Sequence, residues 1–224
     1  AKNTSDYKND DTVNEIASVI SFKSSLPMKK KGLNFSNVFS PTFMVRYAPL
    51  HMRNLSEEES KLNYSNLYSL NKTSEIESGL STIIGYDFKI NKKDKNGNDR
   101  EKLSLSMGQV FNRKENDDLP SNSSLDQKTS DVVGIFNYNF SEIGNINYKF
   151  NLDHNFNTIN YNEISTSLNF GKFDFNLDYL EQRKHVGTEH YLTSGVALNF
   201  NDNNKLSYES RKNYKTDSTE LYDI

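Results

Sequence analysis

An alternation of apolar and polar residues that runs almost without interruption from Ser130 to Phe200 limits the fold more than any other feature. Between Phe173 and Tyr179, for example, every second residue is aromatic or leucine, and the residues between them are Asp or Asn. Four other segments of this stretch alternate in the same way. A period of two places successive side chains on opposite faces of a strand. The stretch therefore predicts five consecutive strands that share one apolar face and one polar face.

The length of these segments indicates the environment of the sheet. Asp131–Phe140, Asn160–Phe170 and Phe173–Gln182 each span about ten residues, whereas strands of soluble proteins cluster near five or six. Tilted strands that cross a membrane need about 9–11 residues. A soluble sandwich buries its apolar face, but a membrane barrel turns an aromatic-rich apolar face to lipid and a polar face to its interior. The sequence thus favours an all-β fold, an antiparallel transmembrane β-barrel segment.

The same periodicity extends outside this stretch and predicts about ten strands in all. The additional strands are Glu15–Leu26, Val38–Tyr47, Glu75–Ile90, Lys102–Phe111 and Lys205–Tyr214. The predicted connections differ in length, and bacterial barrels have longer loops outside than in the periplasm. The outside loops are expected at Ala48–Ser74, Asn112–Thr129, His154–Ile159 and Arg183–Thr188. Met28–Asn37, with its three lysines, and Asn91–Glu101 are expected to be periplasmic connections.

Composition narrows the function classes and the domain organisation. Apolar residues make up 34% of the chain, but aromatic residues reach 12%, which argues against disorder. The formal net charge is −3 and no basic stripe is present, so no nucleic-acid partner is expected. Cysteine is absent, which excludes a disulfide or thiolate metal site within the chain.

One domain is expected over residues 1–224, a barrel fragment, because no apolar signal region opens the chain and Glu220–Ile224 resembles an interrupted strand.

Catalytic and metal sites are not predicted. His185 and His190 are five residues apart, which on a strand would place them on opposite faces. Neither a Gly-x-Ser-x-Gly elbow nor a glycine-rich phosphate loop occurs. We therefore expect no enzyme, no cofactor and no metal.

Charged residues on the predicted polar face are the candidates for a functional surface. They could line a hydrophilic path through the barrel, or they could form ordinary cross-strand ion pairs, each worth under about 1 kcal/mol. The candidate lining residues are Arg46, Glu75, Asp87, Lys89, Lys149, Glu163, Asp174 and Asp178.

Several short motifs between residues 38 and 140 resemble those of a known family. The matching residues are Asn66, Leu67, Tyr68 and Ser69; Glu77, Gly79 and Gly85 in the next strand; Ser106, Gly108 and Gln109; and Ser130, Asp131 and Gly134. Together they resemble the barrel of the LptD family, the outer-membrane lipopolysaccharide-assembly proteins. The resemblance implies that this chain supplies about ten strands of a 26-stranded barrel, without the family's signal peptide and periplasmic jellyroll domain.

The same resemblance implies a function and a set of partners. The chain would form part of the wall of a translocon that inserts lipopolysaccharide into the outer leaflet of the cell outer membrane. Its partners would be lipopolysaccharide, outer-membrane lipids, a plug lipoprotein of the LptE type and a periplasmic bridge of the LptA type. Two other hypotheses stay open on the residues alone: a general outer-membrane porin or transporter barrel, and a soluble surface β-protein such as an adhesin.

Overall fold

A computed structural model describes residues 17–49, 51–94, 96–140, 143–201 and 204–223. Within these ranges the chain forms strands and two short 3₁₀ turns, Ser121–Ser123 and Lys184–Val186, with no α-helix. The strands are β1 (Ile20–Ser25), β2 (Met28–Lys31), β3 (Phe35–Ala48), β4 (Gly79–Lys93), β5 (Asp99–Asn112), β6 (Val132–Asn139), β7 (Gly144–Leu152), β8 (Ile159–Phe170), β9 (Phe173–Gln182), β10 (His190–Asn201), β11 (Asn204–Asn213) and β12 (Ser218–Asp223). The predicted all-β class is confirmed. Across the described ranges, no helix is long and apolar enough to span a bilayer.

All twelve strands belong to one antiparallel sheet in which each strand pairs with its neighbours along the chain. The exception is at one edge, where β1 and β2 both pair with β3 because Leu26 and Pro27 interrupt what is otherwise a single strand. The sheet is not closed on itself and ends at β1 and β12. This architecture is consistent with a segment of a β-barrel wall.

The alternation located the strands well, but the structure differs from the prediction in three respects. The lysines at 29–31 do not belong to a connection, since they form β2 and pair with β3. Strand β4 begins at Gly79 rather than at Glu75, because Glu75 pairs with Arg53 of the preceding loop and Glu77 pairs with Arg46 of β3. Strand β12 was not counted among the ten predicted strands, although Glu220–Ile224 had been interpreted as an interrupted strand. Glu15 and Ile16, at the start of the first predicted strand, lie outside the described residues.

One face of the sheet, here called the apolar face, presents aromatic and aliphatic side chains to its surroundings. Phe175, Val196 and Tyr208 lie side by side across β9, β10 and β11, and each is exposed. At the other end of the sheet, Phe43 and Ile84 are paired across β3 and β4 and are exposed as well. Exposed apolar side chains thus lie on the same face towards both ends of the sheet.

The opposite, polar face is covered at one end by the long connections. These are L1 (residues 49–78), L2 (113–131), L3 (153–158) and L4 (183–189), which join β3 to β4, β5 to β6, β7 to β8 and β9 to β10. The connections at the other end are short, such as Gly171 and Lys172 between β8 and β9. The four predicted outside loops therefore share one end of the sheet.

The hydrophobic core lies between the polar face and the first two loops. Strands β3 to β6 each contribute one buried apolar side chain, Met44, Ile83, Val110 and Val133. L1 and L2 supply the rest of the cluster, namely Met52, Leu55, Leu62, Leu67, Leu119 and Leu125. The expectation of a uniformly polar face is therefore wrong at this end, because the loops bury apolar side chains against it.

Candidate functional site: the loop layer on the polar face

L1 packs directly against the backbone of two glycines in the sheet. Gly85 and Gly108 are direct partners across β4 and β5, and both face the loop layer. A Cβ at Gly108 would run into the side chain of Leu67, and a Cβ at Gly85 would run into the hydroxyl of Tyr68. Leu67 is completely buried. Since only glycine leaves room for so close an approach, the paired glycines and the Leu67–Tyr68 dipeptide form one contact.

Asparagine side chains shape the L1 turn that presents this dipeptide. The Asn66 amide accepts a hydrogen bond from the Asn63 backbone N–H at 2.9 Å and donates one to the Lys61 carbonyl at 3.0 Å. The Asn63 carboxamide oxygen accepts from the backbone N–H groups of Ser65 and Asn66. Asparagine stabilises turns in this way because its side chain imitates a backbone carbonyl. The Ser69 backbone N–H completes the turn by donating to the Asn66 carbonyl at 3.0 Å.

A carboxylate on the sheet fixes L1 further towards the middle of the polar face. Asp87 of β4 accepts hydrogen bonds from the Tyr64 hydroxyl at 2.8 Å and from Ser106 of β5 at 2.5 Å. Burial and the Asp87 carboxylate raise the pKa of Tyr64, and burial raises the pKa of Tyr68 to about 12. Both tyrosines therefore stay protonated near neutral pH, and Tyr64 remains a donor to Asp87.

The end of L1 is held by a buried ion pair. Glu77 contacts the Arg46 guanidinium at 3.1 Å, and both side chains are almost fully buried, with 7% and 2% exposure. The second carboxylate oxygen of Glu77 accepts the backbone N–H groups of Lys72 and Thr73. Arg46 also donates to the Leu70 carbonyl at 2.5 Å. A buried charge pair of this kind depends on further hydrogen bonds, and the L1 backbone supplies three of them.

L2 is attached to the sheet and to L4 through two adjacent residues. The Ser130 hydroxyl accepts from the Val110 backbone N–H at 3.0 Å, and the Gln109 side chain donates to the Ser130 carbonyl at 2.7 Å. Asp131 is fully buried and accepts from Asn160 of β8 at 3.0 Å. The same carboxylate oxygen lies 3.1 Å from Nε2 of His185 in L4. The hydrogen bond to Asp131 raises the pKa of His185, although desolvation opposes the shift.

L1 also reaches across the face to later strands. Lys61 donates to the Gln182 side chain at the end of β9 at 3.0 Å. Asn151 of β7 donates to the Leu62 carbonyl at 2.9 Å. The backbone N–H of Leu55 bonds the Asp118 carbonyl of L2 at 2.7 Å. The loops therefore form a connected layer over the polar face rather than separate projections.

The structure places the family-motif residues in two roles. Asn66, Leu67, Tyr68, Ser69, Glu77, Gly85 and Gly108 build the contact of L1 with the sheet, whereas Gln109, Ser130 and Asp131 attach L2. Ser106 supports Asp87, and Gly79 opens β4 with a positive φ of 104°. Gly134 is different, because it lies on the apolar face, where the Phe150 ring covers it.

The charged candidates beyond Arg46 and Asp87 are distributed in pairs along the polar face. Lys89 lies 2.8 Å from Glu101, and Lys149 lies 2.8 Å from Glu163. Asp174 accepts from Asn169 and Asn199, and Asp178 lies between Ser165 and Thr193 in register. Glu75 is in L1 rather than on a strand, 3.2 Å from Arg53. Whether these residues line a channel stays a prediction.

Sequence reasoning missed the side chains that hold the layer together. Lys61, Tyr64, Asn160 and the pairing of His185 with Asp131 join residues far apart in the chain, which no local spacing reveals. A usable signal was present in L1 and L2, where Met52, Leu55, Leu62, Leu119 and Leu125 are apolar residues within polar connections. Among the described residues, no group of three or more His, Cys, Asp or Glu could hold a metal ion.

The sheet and the loop layer together define a class of protein. An open antiparallel sheet with an exposed aromatic-rich face and with long loops folded onto its polar face has the architecture of part of a membrane β-barrel. Residues 1–203 match the family described as LptD, LPS transport system D, and the chain belongs to this family. The family serves lipopolysaccharide transport and assembly at the outer membrane and is not a family of enzymes. No curated protein matches the chain.

Proposed function

We propose that this chain forms part of the wall of a lipopolysaccharide translocon in the outer membrane. The apolar face contacts lipid, and the polar face borders the hydrophilic interior through which lipopolysaccharide reaches the outer leaflet. The role is passive, since the wall supplies a path and a barrier but no chemistry. The candidate lining residues, such as Lys149 and Glu163, contribute a hydrated charged surface to that path.

The observation that carries this proposal is the one-sided attachment of the loops. L1 spans the polar face from the Gly85–Gly108 contact to Gln182, while the apolar face remains uncovered. A cap on the interior side closes the barrel to solutes without obstructing contact between the outer surface and lipid. A soluble β-protein would instead bury its aromatic face.

Two partners follow from the family rather than from the contacts of this chain. A plug lipoprotein of the LptE type would lie inside the barrel against the polar face and the loop layer. A periplasmic bridge of the LptA type would deliver lipopolysaccharide from the end of the sheet with the short connections.

The test is a deletion of residues 55–63 from L1 in the full-length protein in cells. This deletion removes Leu55 and Leu62 from the core and should detach the loop layer from the polar face. We expect sensitivity to large hydrophobic antibiotics and less lipopolysaccharide at the cell surface. Exposed Glu57 lies in the same segment, so Glu57→Ala is the matched control and should leave both properties unchanged.

A general porin is the second candidate, because a porin also folds a long loop inward, as L1 does here. In that case the deletion should change the uptake of small solutes and leave surface lipopolysaccharide as it was. That outcome would replace the translocon proposal with the porin.

A further inference from the structure

A cavity of about 350 Å³ lies at the loop end of the sheet, between L1 and L2. Its floor is formed by the ends of β3, β4 and β5, including Arg46, Ser81 and Val110. Lys72 and Glu77 of L1 form one side, and residues 113–116 of L2 form the other. This volume is large enough for several water molecules or for a small polar group.

The charges around this cavity do not balance. Four cationic side chains line it, Arg46, Lys72, Arg113 and Lys114, together with two carboxylates, Glu77 and Glu115. The lining therefore carries two positive charges in excess when every group is ionised. Arg113, Lys114 and Glu115 are exposed at the rim, whereas Arg46, Lys72 and Glu77 are buried.

The excess positive charge is concentrated at Lys72, a residue that is only 6% exposed. Its ammonium donates one long hydrogen bond, 3.4 Å to the Ser69 carbonyl. Glu77 is already committed to the Arg46 guanidinium and to two backbone N–H groups. Within the part of the chain that the structure describes, no carboxylate oxygen lies within 4.0 Å of this ammonium.

A buried ammonium without a counter-ion is unfavourable, because desolvation penalises the charged form. Burial accordingly lowers the pKa of Lys72 to about 8, with Arg46 adding repulsion and Glu77 opposing it. At neutral pH the side chain is still mostly protonated. An anion in the cavity would supply the missing partner to Lys72 and could also reach the exposed cations at the rim.

We propose that this cavity binds a compact oxyanion of the phosphate type. A dianionic phosphate group matches the two positive charges in excess, and lysine and arginine are the side chains that bind phosphate oxygens best. The group can come from free phosphate or from the headgroup of an anionic glycolipid. The proposal concerns anion binding alone and does not depend on a role in transport.

The test measures binding of inorganic phosphate to the purified full-length protein in detergent by isothermal titration calorimetry. Lys72→Met removes the ammonium group and keeps an unbranched apolar side chain that is one atom shorter. We expect this variant to weaken phosphate binding by about tenfold or more, which corresponds to about 1.4 kcal/mol. Lys128 is exposed in L2 and does not line the cavity, so Lys128→Met is the matched control and should bind like the unmodified protein.

A second variant and a second ligand make the result decisive. Arg113→Gln alters only the exposed rim, so it keeps the buried cluster and should weaken phosphate binding even if Lys72→Met fails to fold. Lipopolysaccharide that competes with phosphate would assign the site to a glycolipid, and lack of competition would assign it to free phosphate. The proposal is overturned if the unmodified protein shows no saturable phosphate binding, or if Lys72→Met and Arg113→Gln both bind as tightly as the control.

Discussion

The contact of L1 with the paired glycines can be tested by adding a single methyl group. In Gly108→Ala, the new Cβ would overlap the Leu67 side chain, which is fully buried and has little room to move. The new Cβ would also lie 3.0 Å from the Ile84 carbonyl oxygen and 3.3 Å from the Gly85 Cα, contacts that are tight but less severe than the overlap with Leu67. The overlap with Leu67 should therefore dominate the effect, and L1 should be pushed away from the sheet.

The expected size follows from the two substitutions taken separately and together. Extra methyl groups in a packed core cost about 1–3 kcal/mol, and Leu→Ala in a core costs about 2–5 kcal/mol. In the Leu67→Ala background the overlap is gone. There only the tight contacts with the Ile84 carbonyl oxygen and the Gly85 Cα remain, so Gly108→Ala should cost less than it does beside Leu67. The double variant should thus be more stable than the sum of the single effects by at least about 1 kcal/mol.

Hydrogen exchange in the full-length protein gives the measurement. The backbone N–H groups of Ser69 and Thr73 are hydrogen-bonded within L1, to the Asn66 carbonyl and to the Glu77 carboxylate. A loss of 1–3 kcal/mol in the stability of L1 should speed their exchange by about 5- to 150-fold in Gly108→Ala, since 1.4 kcal/mol is tenfold.

The control is a glycine on the same face but far from L1. A Cβ at Gly195 would meet the side chain of Asn176, which can rotate away, so Gly195→Ala should leave exchange in L1 unchanged. Equal acceleration by Gly108→Ala with and without Leu67→Ala would refute the reasoning. It would mean that the glycine pair serves the sheet itself and not the loop.

Three other perturbations test separate parts of the structure. Glu77→Gln leaves its buried arginine partner without a counter-charge and should destabilise the end of L1 by about 3–5 kcal/mol; exchange at the Thr73 amide that stays slow would contradict this. Phe175→Arg on the apolar face should cost about 2–4 kcal/mol in folding into lipid bilayers, whereas Asp174→Asn should cost little; similar costs for the two would contradict the assignment of faces. The pKa of His185 is raised by its pairing with Asp131. The stabilisation from the charged form of this pair is therefore fully present below the ordinary pKa near 6.5 and is lost as pH rises through the raised value. NMR titration should give a pKa above 6.5 for His185, with faster exchange in L4 at higher pH, and a pKa below 6.5 would contradict a charged pairing of His185 with Asp131.

The repeating pattern along the chain was sufficient to determine the sheet and its two faces. From Phe173 to Tyr179, aromatic residues and leucine alternate with Asp and Asn. A strand places such alternating residues on opposite faces, so one surface is apolar and the other is polar. Where two strands are joined by a short turn such as Gly171-Lys172, their antiparallel pairing follows as well, because the turn leaves no room for a crossover. These are properties of local geometry, so the residues that determine them are close together in sequence.

Only the tertiary structure decided what the long connections do. L1 looked like a polar loop with a family motif, yet Leu67 and Tyr68 dock on Gly85 and Gly108, and Glu77 leaves the predicted strand to pair with Arg46. These contacts depend on which residues become neighbours after the strands have paired, and the register of β3, β4 and β5 sets that. A period of two specifies which face a residue is on, but it carries no information about the loop that will cover it.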